Sequence, residues 1–154
     1  MLSLNQIKQR LIDFFEGHAQ INTVIYADDF DFNAYPDIVY KVVHIQPVNT
    51  IVRTNEIIHQ FKIMIADIED PLNATSEFDL YSDCELIAND FLAFFGDDDY
   101  PDIIMDTNTT FQPFSESGTD RTAGVVFTAA IRQTRYINPC TIPTQAIISG
   151  LTQS

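Results

Sequence analysis

Apolar residues that recur at three- and four-residue steps predict two helices in this chain. The first runs from Ser3 to Gly17, where Ser3 and Gln6 form a capping-box pattern and Gly17 is a suitable stop. The second runs from about Thr75 to Phe95. The apolar stripe of the first helix is predicted to be Leu4, Ile7, Leu11 and Phe14, and that of the second Leu80, Cys84, Ile87, Phe91 and Phe94.

Apolar runs with two-residue alternation predict the strands. The clearest strand runs from Glu56 to Asp67, and the turn Thr54–Asn55 joins it to a strand from Val48 to Arg53, so the two form a hairpin. A second long strand runs from Gly124 to Thr134. The residues predicted to share one face of that strand are Val125, Phe127, Ala129 and Ile131.

Prolines limit two of the shorter predicted strands. Pro47 is expected to end a strand that begins at Ile38, because proline has no N–H to donate to a neighbouring strand. For the same reason Pro113 places the strand Thr109–Phe114 at a sheet edge or a bulge. The remaining short strands are predicted at Thr23–Ala27 and Ile103–Met105.

The order of these elements predicts an α+β fold, with an antiparallel β-sheet and two α-helices packed on one face. The chain has 154 residues, and residues 1–135 are predicted to form a single domain. Residues 136–154 contain two prolines and no clear period, which predicts an extended C-terminal arm. Either this segment is a frayed terminus or it docks on a neighbouring subunit. The candidate inter-subunit residues of the arm are Ile142, Ile147, Ile148 and Leu151.

The protein is strongly acidic. It has 22 Asp and Glu against 8 Lys and Arg, which gives a formal net charge of −14. Such a protein is not expected to bind nucleic-acid phosphates or anionic membranes, because both interactions need basic groups. The charge favours solubility, a basic partner, or the wall of a passage that DNA must not adhere to. The first residues have no basic segment and no long apolar stretch, so we expect no signal peptide, and no apolar run approaches the length of a membrane span.

Two acidic loops are the strongest candidates for a functional surface. The first contains Asp29, Asp31 and Asn33, which match the start of a calcium loop, but Ala34 and Tyr40 stand where that pattern needs Gly and Glu. We therefore expect these loops to line a lumen or an interface. Two lesser alternatives are a weak cation site in the loops and a small metal-dependent enzyme built on the Asp clusters. The candidate residues are Asp28, Asp29, Asp31, Asp97, Asp98 and Asp99.

Catalytic chemistry is not indicated by the remaining reactive residues. His44 and His59 lie on predicted strands, where they are placed to face one another across the sheet, and His18 follows the first helix. Their spacing matches no zinc or protease motif. Cys84 and Cys140 form no C-x-x-C pair, so two free thiols are expected. No phosphate-binding glycine loop or nucleophile elbow occurs, so we expect no enzyme activity, no cofactor and no metal.

Short segments of the sequence carry a resemblance to a known group of proteins. They are Tyr35–Tyr40, Phe61–Asp67, Leu80–Phe95, Thr110–Phe114, Ala123–Ile131 and Asn138–Cys140. In these segments, and in its layout through about residue 140, the chain resembles small phage neck and tail proteins. That group includes tail terminator or completion proteins of long-tailed phages and ring proteins of crAss-like short-tailed phages. Its members share a Tyr-Pro before the first core strand, a Pro-Phe strand and a final strand that ends near Asn-Pro-Cys.

The resemblance implies a tail-terminator-like α+β subunit without enzymatic activity. Such a subunit forms a homo-oligomeric ring around the DNA channel and joins adjacent layers of the neck or tail. Its expected partners are further copies of itself and other neck, tail or portal-adaptor proteins, while DNA passes through without specific binding. It would be assembled in the host cytoplasm and reside in the virion. The alternative from another class is a soluble acidic binding module that sequesters a basic partner protein.

Overall fold

The computed structural model describes residues 2–28, 38–69, 77–96, 103–106, 108–117 and 121–135, without the side chains of Glu116 and Ser117. Within these ranges the protein forms two helices and six strands. In sequence order they are α1 (Leu4–Gly17), β1 (Thr23–Tyr26), β2 (Val42–Val52), β3 (Glu56–Ile68), α2 (Glu77–Phe95), β4 (Ile104–Met105), β5 (Gln112–Ser117) and β6 (Arg121–Thr134). The predicted C-terminal arm lies outside the described residues.

The strands form one sheet in the order β1-β2-β3-β6-β4, and β5 also pairs with β6. The predicted α+β class is confirmed. The sheet is mixed rather than antiparallel throughout, because β1 pairs with β2 in parallel while the other pairs are antiparallel. The sequence between β1 and β2 covers residues 27–41, long enough for the crossover that a parallel pair requires. β5 pairs only with β6 among the described strands, so the predicted edge position of Pro113 is confirmed.

The prediction that Pro47 ends a strand is wrong. A single strand, β2, runs through Pro47, and the register shifts between Pro47 and Asn49. Pro47 pairs with Phe61 and Asn49 pairs with Gln60, so Val48 is an extra residue of a β-bulge. The bulge lets the strand continue, since proline is tolerated where the regular hydrogen-bond ladder is interrupted. The predicted hairpin with β3 is confirmed.

Both helices pack on one face of the sheet, where their side chains form one core with those of β2, β3, β4 and β6. The centre of the helical layer is aromatic: the rings of Phe15 and Phe91 stack with centroids 5.1 Å apart, and Phe91 also contacts Phe127 at 5.8 Å. The residues of β6 that were predicted to share one face are all buried. The long strands contribute to the core Val43, Ile45, Phe61, Ile63, Ile65, Val125, Phe127, Ala129 and Ile131.

One residue near the end of each predicted helical stripe needs correction. In α1, Phe15 is fully buried while Phe14 is half-buried, and in α2, Phe95 is buried while Phe94 is 41% exposed. Each helix has a pair of adjacent phenylalanines in its last turn, and both lie near the margin of the apolar stripe at 100° per residue. Helical spacing by itself does not choose between them. Leu4, predicted as a stripe residue, is 40% exposed.

The start of α1 is fixed in two ways. The predicted capping box is present, since Gln6 N donates to Ser3 Oγ at 3.2 Å and Ser3 N donates to Gln6 Oε1 at 2.8 Å. In addition, the buried side-chain amide of Gln133 on β6 accepts from Leu2 N and donates to Leu2 O, both at 2.8 Å. The amide thereby satisfies both backbone groups of Leu2 and ties the segment that precedes α1 to the sheet.

β3 and β6 approach each other closely at Gly124. A Cβ at that position would overlap the carbonyl oxygen of Ile65 and lie 2.9 Å from the Cα of Ala66. Only glycine fits here, because the neighbouring atoms belong to the backbone of the central strand, and moving them would disrupt its pairing. This close approach keeps the long β3–β6 ladder continuous from Glu56 to Ile68.

Candidate functional site

The structure describes one of the predicted acidic-loop residues. Asp28 is exposed just beyond the end of β1. The other predicted loop residues and the arm residues lie outside the described residues, so their placement stays a prediction. These are Asp29, Asp31, Asp97, Asp98, Asp99, Ile142, Ile147, Ile148 and Leu151.

The predicted meeting of His44 and His59 does not occur. His44 pairs across the sheet with Met64, while His59 pairs with Thr50. His44 Nε2 donates to the Ala27 carbonyl at 3.1 Å, and His59 Nδ1 lies 3.1 Å from Thr50 Oγ1. Burial lowers the pKa of His59. Each histidine therefore has a local structural partner, and the two do not form a joint site.

A small charged cluster lies where α2 begins to cross the sheet. Lys41 Nζ is 4.0 Å from carboxylate oxygens of both Asp67 and Asp83. Burial raises the pKa of Asp67, although its bond from Ile68 N and the Lys41 charge oppose that shift. Burial, with the nearby Asp67 charge, raises the pKa of the Cys84 thiol to about 12. Because the thiolate is the reactive form, Cys84 is an inert packing residue at neutral pH.

The solvent-facing side of α2 is the first of two surfaces whose residues are not explained by packing within the domain. Phe78 is 80% exposed and Leu86 is 62% exposed, and both lie on the side of the helix opposite its buried residues. The exposed Asp79 and Glu85 lie beside them. The whole helix carries five acidic residues and no basic ones. We call Phe78, Asp79, Glu85 and Leu86 the outer face of α2.

The second such surface is a basic cleft at the β2–β3 hairpin. Arg53 and Arg132 line it and Arg135 contacts Arg53, so three of the eight Lys and Arg residues in the sequence lie in or next to it. Arg53 pairs with Glu56 at 3.1 Å, and Arg135 Nη1 donates to the Arg53 carbonyl at 3.3 Å. The cleft has a volume of about 540 Å³. We call it the arginine cleft, and its lining residues are Arg53, Thr54, Asn55, Glu56, Ile104, Arg132, Gln133 and Thr134.

An unsatisfied donor lies in the wall of the arginine cleft. Arg132 Nε is buried and has no hydrogen-bond partner among the described residues. A buried donor without an acceptor costs free energy, and a guanidinium gains most from a carboxylate or phosphate oxygen. Nε itself is closed off from solvent, so it is the exposed parts of Arg53 and Arg132, which line the cleft, that suit it to an anionic group.

The two surfaces lie on opposite faces of the domain. Arg132 pairs with Ile58 and Ile104, and its neighbour Ile131 is buried in the core beneath the helices. Since neighbouring side chains of a strand point to opposite faces, Arg132 and the 59% exposed Ile104 lie on the face that the helices do not cover. The outer face of α2 lies on the far side of the helical layer.

Sequence reasoning missed both surfaces, for different reasons. The signal for the outer face of α2 was present, because Phe78 and Leu86 are eight residues apart, which places them on one side of a helix and away from the predicted stripe. The arginine cleft had no local signal. Arg53 and Arg132 are far apart in the sequence and meet only through the pairing of β3 with β2 and β6.

Across the described ranges, no group of three or more His, Cys, Asp or Glu side chains is placed to hold a metal ion. Neither helix in the part of the protein that the structure describes is long and apolar enough to cross a membrane. Comparison with known proteins gives no family assignment, since no protein-family model and no curated protein matches the sequence.

Proposed function

We propose that this protein is a structural virion component that forms a homo-oligomeric ring in the neck or tail of a phage and joins adjacent layers around the DNA channel. The observation that carries the proposal is the outer face of α2, where Phe78 and Leu86 are exposed on a helix whose other side is fully packed. Large apolar side chains that are exposed on the same side of a rigid element are typical of a protein–protein interface.

The charge supports the same role. With a net charge of −14, the protein repels phosphate, which suits a wall past which DNA slides. The exposed Asp28 belongs to the predicted lumen or interface loops. Several of the segments that carry the resemblance to phage neck and tail proteins lie in helices and strands of the fold. They are Phe61–Asp67 in β3, Leu80–Phe95 in α2 and Ala123–Ile131 in β6. They support a subunit with the proposed α+β architecture and a place in the virion.

The mass of the assembled particle tests this proposal. We expect light scattering and native mass spectrometry to give a closed multimer, for the pure protein or on mixing with neck, tail or portal-adaptor proteins, and negative-stain images to show a ring with a central channel. A protein that stays monomeric in all these mixtures would refute the proposal.

A pair of serine variants connects that assembly to the outer face of α2. Phe78→Ser with Leu86→Ser should dissociate the multimer without unfolding the domain, because both side chains are exposed. The matched control is Leu4→Ser, which replaces an exposed apolar residue of α1. If the control dissociates the ring as strongly as the double variant, the outer face of α2 is not the interface.

The second candidate is a soluble acidic module that sequesters a basic protein. Its support is the charge of α2, which carries five acidic residues and no basic ones. This function predicts a monomer that forms a salt-sensitive complex of fixed stoichiometry with a basic partner, because exposed charges are screened by salt. A ring that forms from the purified protein without any partner argues against it.

A further inference from the structure

We infer that the arginine cleft of one copy binds the outer face of α2 of the next copy in a head-to-tail contact. This inference rests on the proposed homo-oligomer and identifies the two surfaces that join its subunits. It commits to a second copy of this protein as the occupant of the cleft, since acidic and apolar groups that complement the arginines and Ile104 of the cleft are exposed on the same molecule.

Charge complementarity is the first argument. Two copies of a protein with a net charge of −14 repel each other unless a basic surface meets an acidic one. The arginine cleft is lined by Arg53 and Arg132, with Arg135 in contact with Arg53 and Glu56 as the acidic lining residue. The outer face of α2 belongs to a helix without basic residues. Joining these surfaces turns the general repulsion into a local attraction.

The chemistry of the contact groups is the second argument. Arg53 and Arg132 line the cleft, and the exposed Glu85 carries a carboxylate, which a guanidinium binds well. The cleft also exposes Ile104, which is 59% accessible and gives Phe78 or Leu86 an apolar surface to bury. A guanidinium further stacks well on an aromatic ring. Each feature left unused in one surface therefore has a counterpart in the other.

The position of the surfaces gives the contact its direction. They lie on opposite faces of the two-layer domain, as the alternation along β6 requires. A two-fold contact uses the same patch on both subunits, so it cannot include both faces at once. Binding of cleft to helix is therefore heterologous, and heterologous contacts form a closed ring or an open filament.

A charge swap tests the pairing. The helix variant carries Asp79→Lys and Glu85→Lys, and the cleft variant carries Arg53→Glu and Arg132→Glu. We expect each variant by itself to associate at least about a hundredfold more weakly than the wild type, since close charge pairs at interfaces couple strongly. A protein with all four changes should regain association to within about tenfold of the wild type. An equimolar mixture of the helix variant and the cleft variant should also assemble.

Net charge is controlled separately. The helix variant is less negative than the wild type, so general repulsion alone would make it associate better, while the proposed pairing makes it associate worse. For the cleft variant the control is Lys62→Glu with Arg121→Glu, which changes the net charge equally at two exposed residues outside the cleft. Because Arg132 is half-buried, Arg53→Glu alone serves as a second, milder form of the cleft variant, with folding checked by circular dichroism.

The outcomes separate this inference from the proposed function. If wild-type rings form and neither the helix variant nor the cleft variant weakens them, the cleft-to-helix contact is wrong while the ring survives. If both variants dissociate but the protein with all four changes does not recover, these surfaces are not partners. A charge-sensitive particle of two subunits would overturn the head-to-tail direction. A wild-type protein that never assembles, by itself or with neck and tail proteins, refutes the proposed function and this contact together.

Discussion

The two helices pack on the same face of the sheet but differ in how far the single domain accounts for their side chains. α1 buries Ile7, Leu11 and Phe15, and its exposed side is mostly polar. α2 buries seven residues and still exposes Phe78 and Leu86 to solvent. The inner side of each helix is explained by the core. The outer side of α2 is not, and for this reason the proposed contact between subunits uses it.

The largest effect on stability is expected from a substitution on the buried side of α2, compared with one on its exposed side. Phe91→Ala removes a ring that contacts Phe14, Phe15, Phe95 and Phe127 at centroid distances of 5.0–5.8 Å. We expect a loss of about 3–5 kcal/mol in the free energy of unfolding, from lost burial and a residual cavity. Urea denaturation followed by far-ultraviolet circular dichroism measures it.

The matched control is Phe78→Ala on the same helix. Its ring is 80% exposed, so the change should alter stability by no more than about 0.5 kcal/mol. Comparable losses for both variants would mean that Phe78 is part of the folded core, and the contrast between the inner and outer sides of α2 would fail.

The next effect concerns how α1 is held to the sheet. Gln133→Leu leaves the backbone N–H and carbonyl of Leu2 without their side-chain partner. We expect a loss of about 1–3 kcal/mol, because two partly buried hydrogen bonds are lost and each typically contributes about 0.5–1.5 kcal/mol. Hydrogen exchange should show faster opening at the first turn of α1 than in α2. Equal acceleration in both helices would contradict a local tether.

Local sequence patterns predict many of the strands and helices correctly. The strand predicted at Glu56–Asp67 is observed at Glu56–Ile68, and the capping box at Ser3 is present, because alternation and capping are local properties. The parallel β1–β2 pair and the bulge at Pro47 depend on which strand lies beside which. Both features depend on the tertiary arrangement of the strands, which no local sequence pattern predicts.

The two candidate surfaces also differ in whether local sequence or long-range strand pairing determines them. The outer face of α2 was readable from spacing, since Phe78 and Leu86 repeat on a helix whose buried stripe was already defined. The arginine cleft required knowing that the β2–β3 turn lies beside the end of β6, where Arg53 and Arg132 meet. Long-range strand register created that cleft, so residue types and spacing alone were insufficient to locate it.

A smaller effect tests whether α1 depends on its own cap. Ser3→Ala removes the hydroxyl that accepts from Gln6 N, and we expect a loss of about 1 kcal/mol. The control is Ser82→Ala, at an exposed position inside α2, where alanine is the better helix former and should leave stability unchanged or slightly raised. Thermal denaturation of both variants provides the comparison. A loss at Ser82 as large as at Ser3 would show that the hydroxyl at the cap has no special role.

The smallest effect concerns the direct polar link between the helices. His18 Nε2 lies 3.0 Å from Asp90 Oδ2, which joins the end of α1 to α2, but the Asp90 side chain is 59% exposed. A double-mutant cycle with His18→Gln and Asp90→Asn should give a coupling energy of about 0–1 kcal/mol, because solvent screens an exposed pair. The coupling should also fall when salt is raised. A value well above about 1 kcal/mol would mean that the polar link, and not the aromatic packing of Phe15 on Phe91, holds the two helices together.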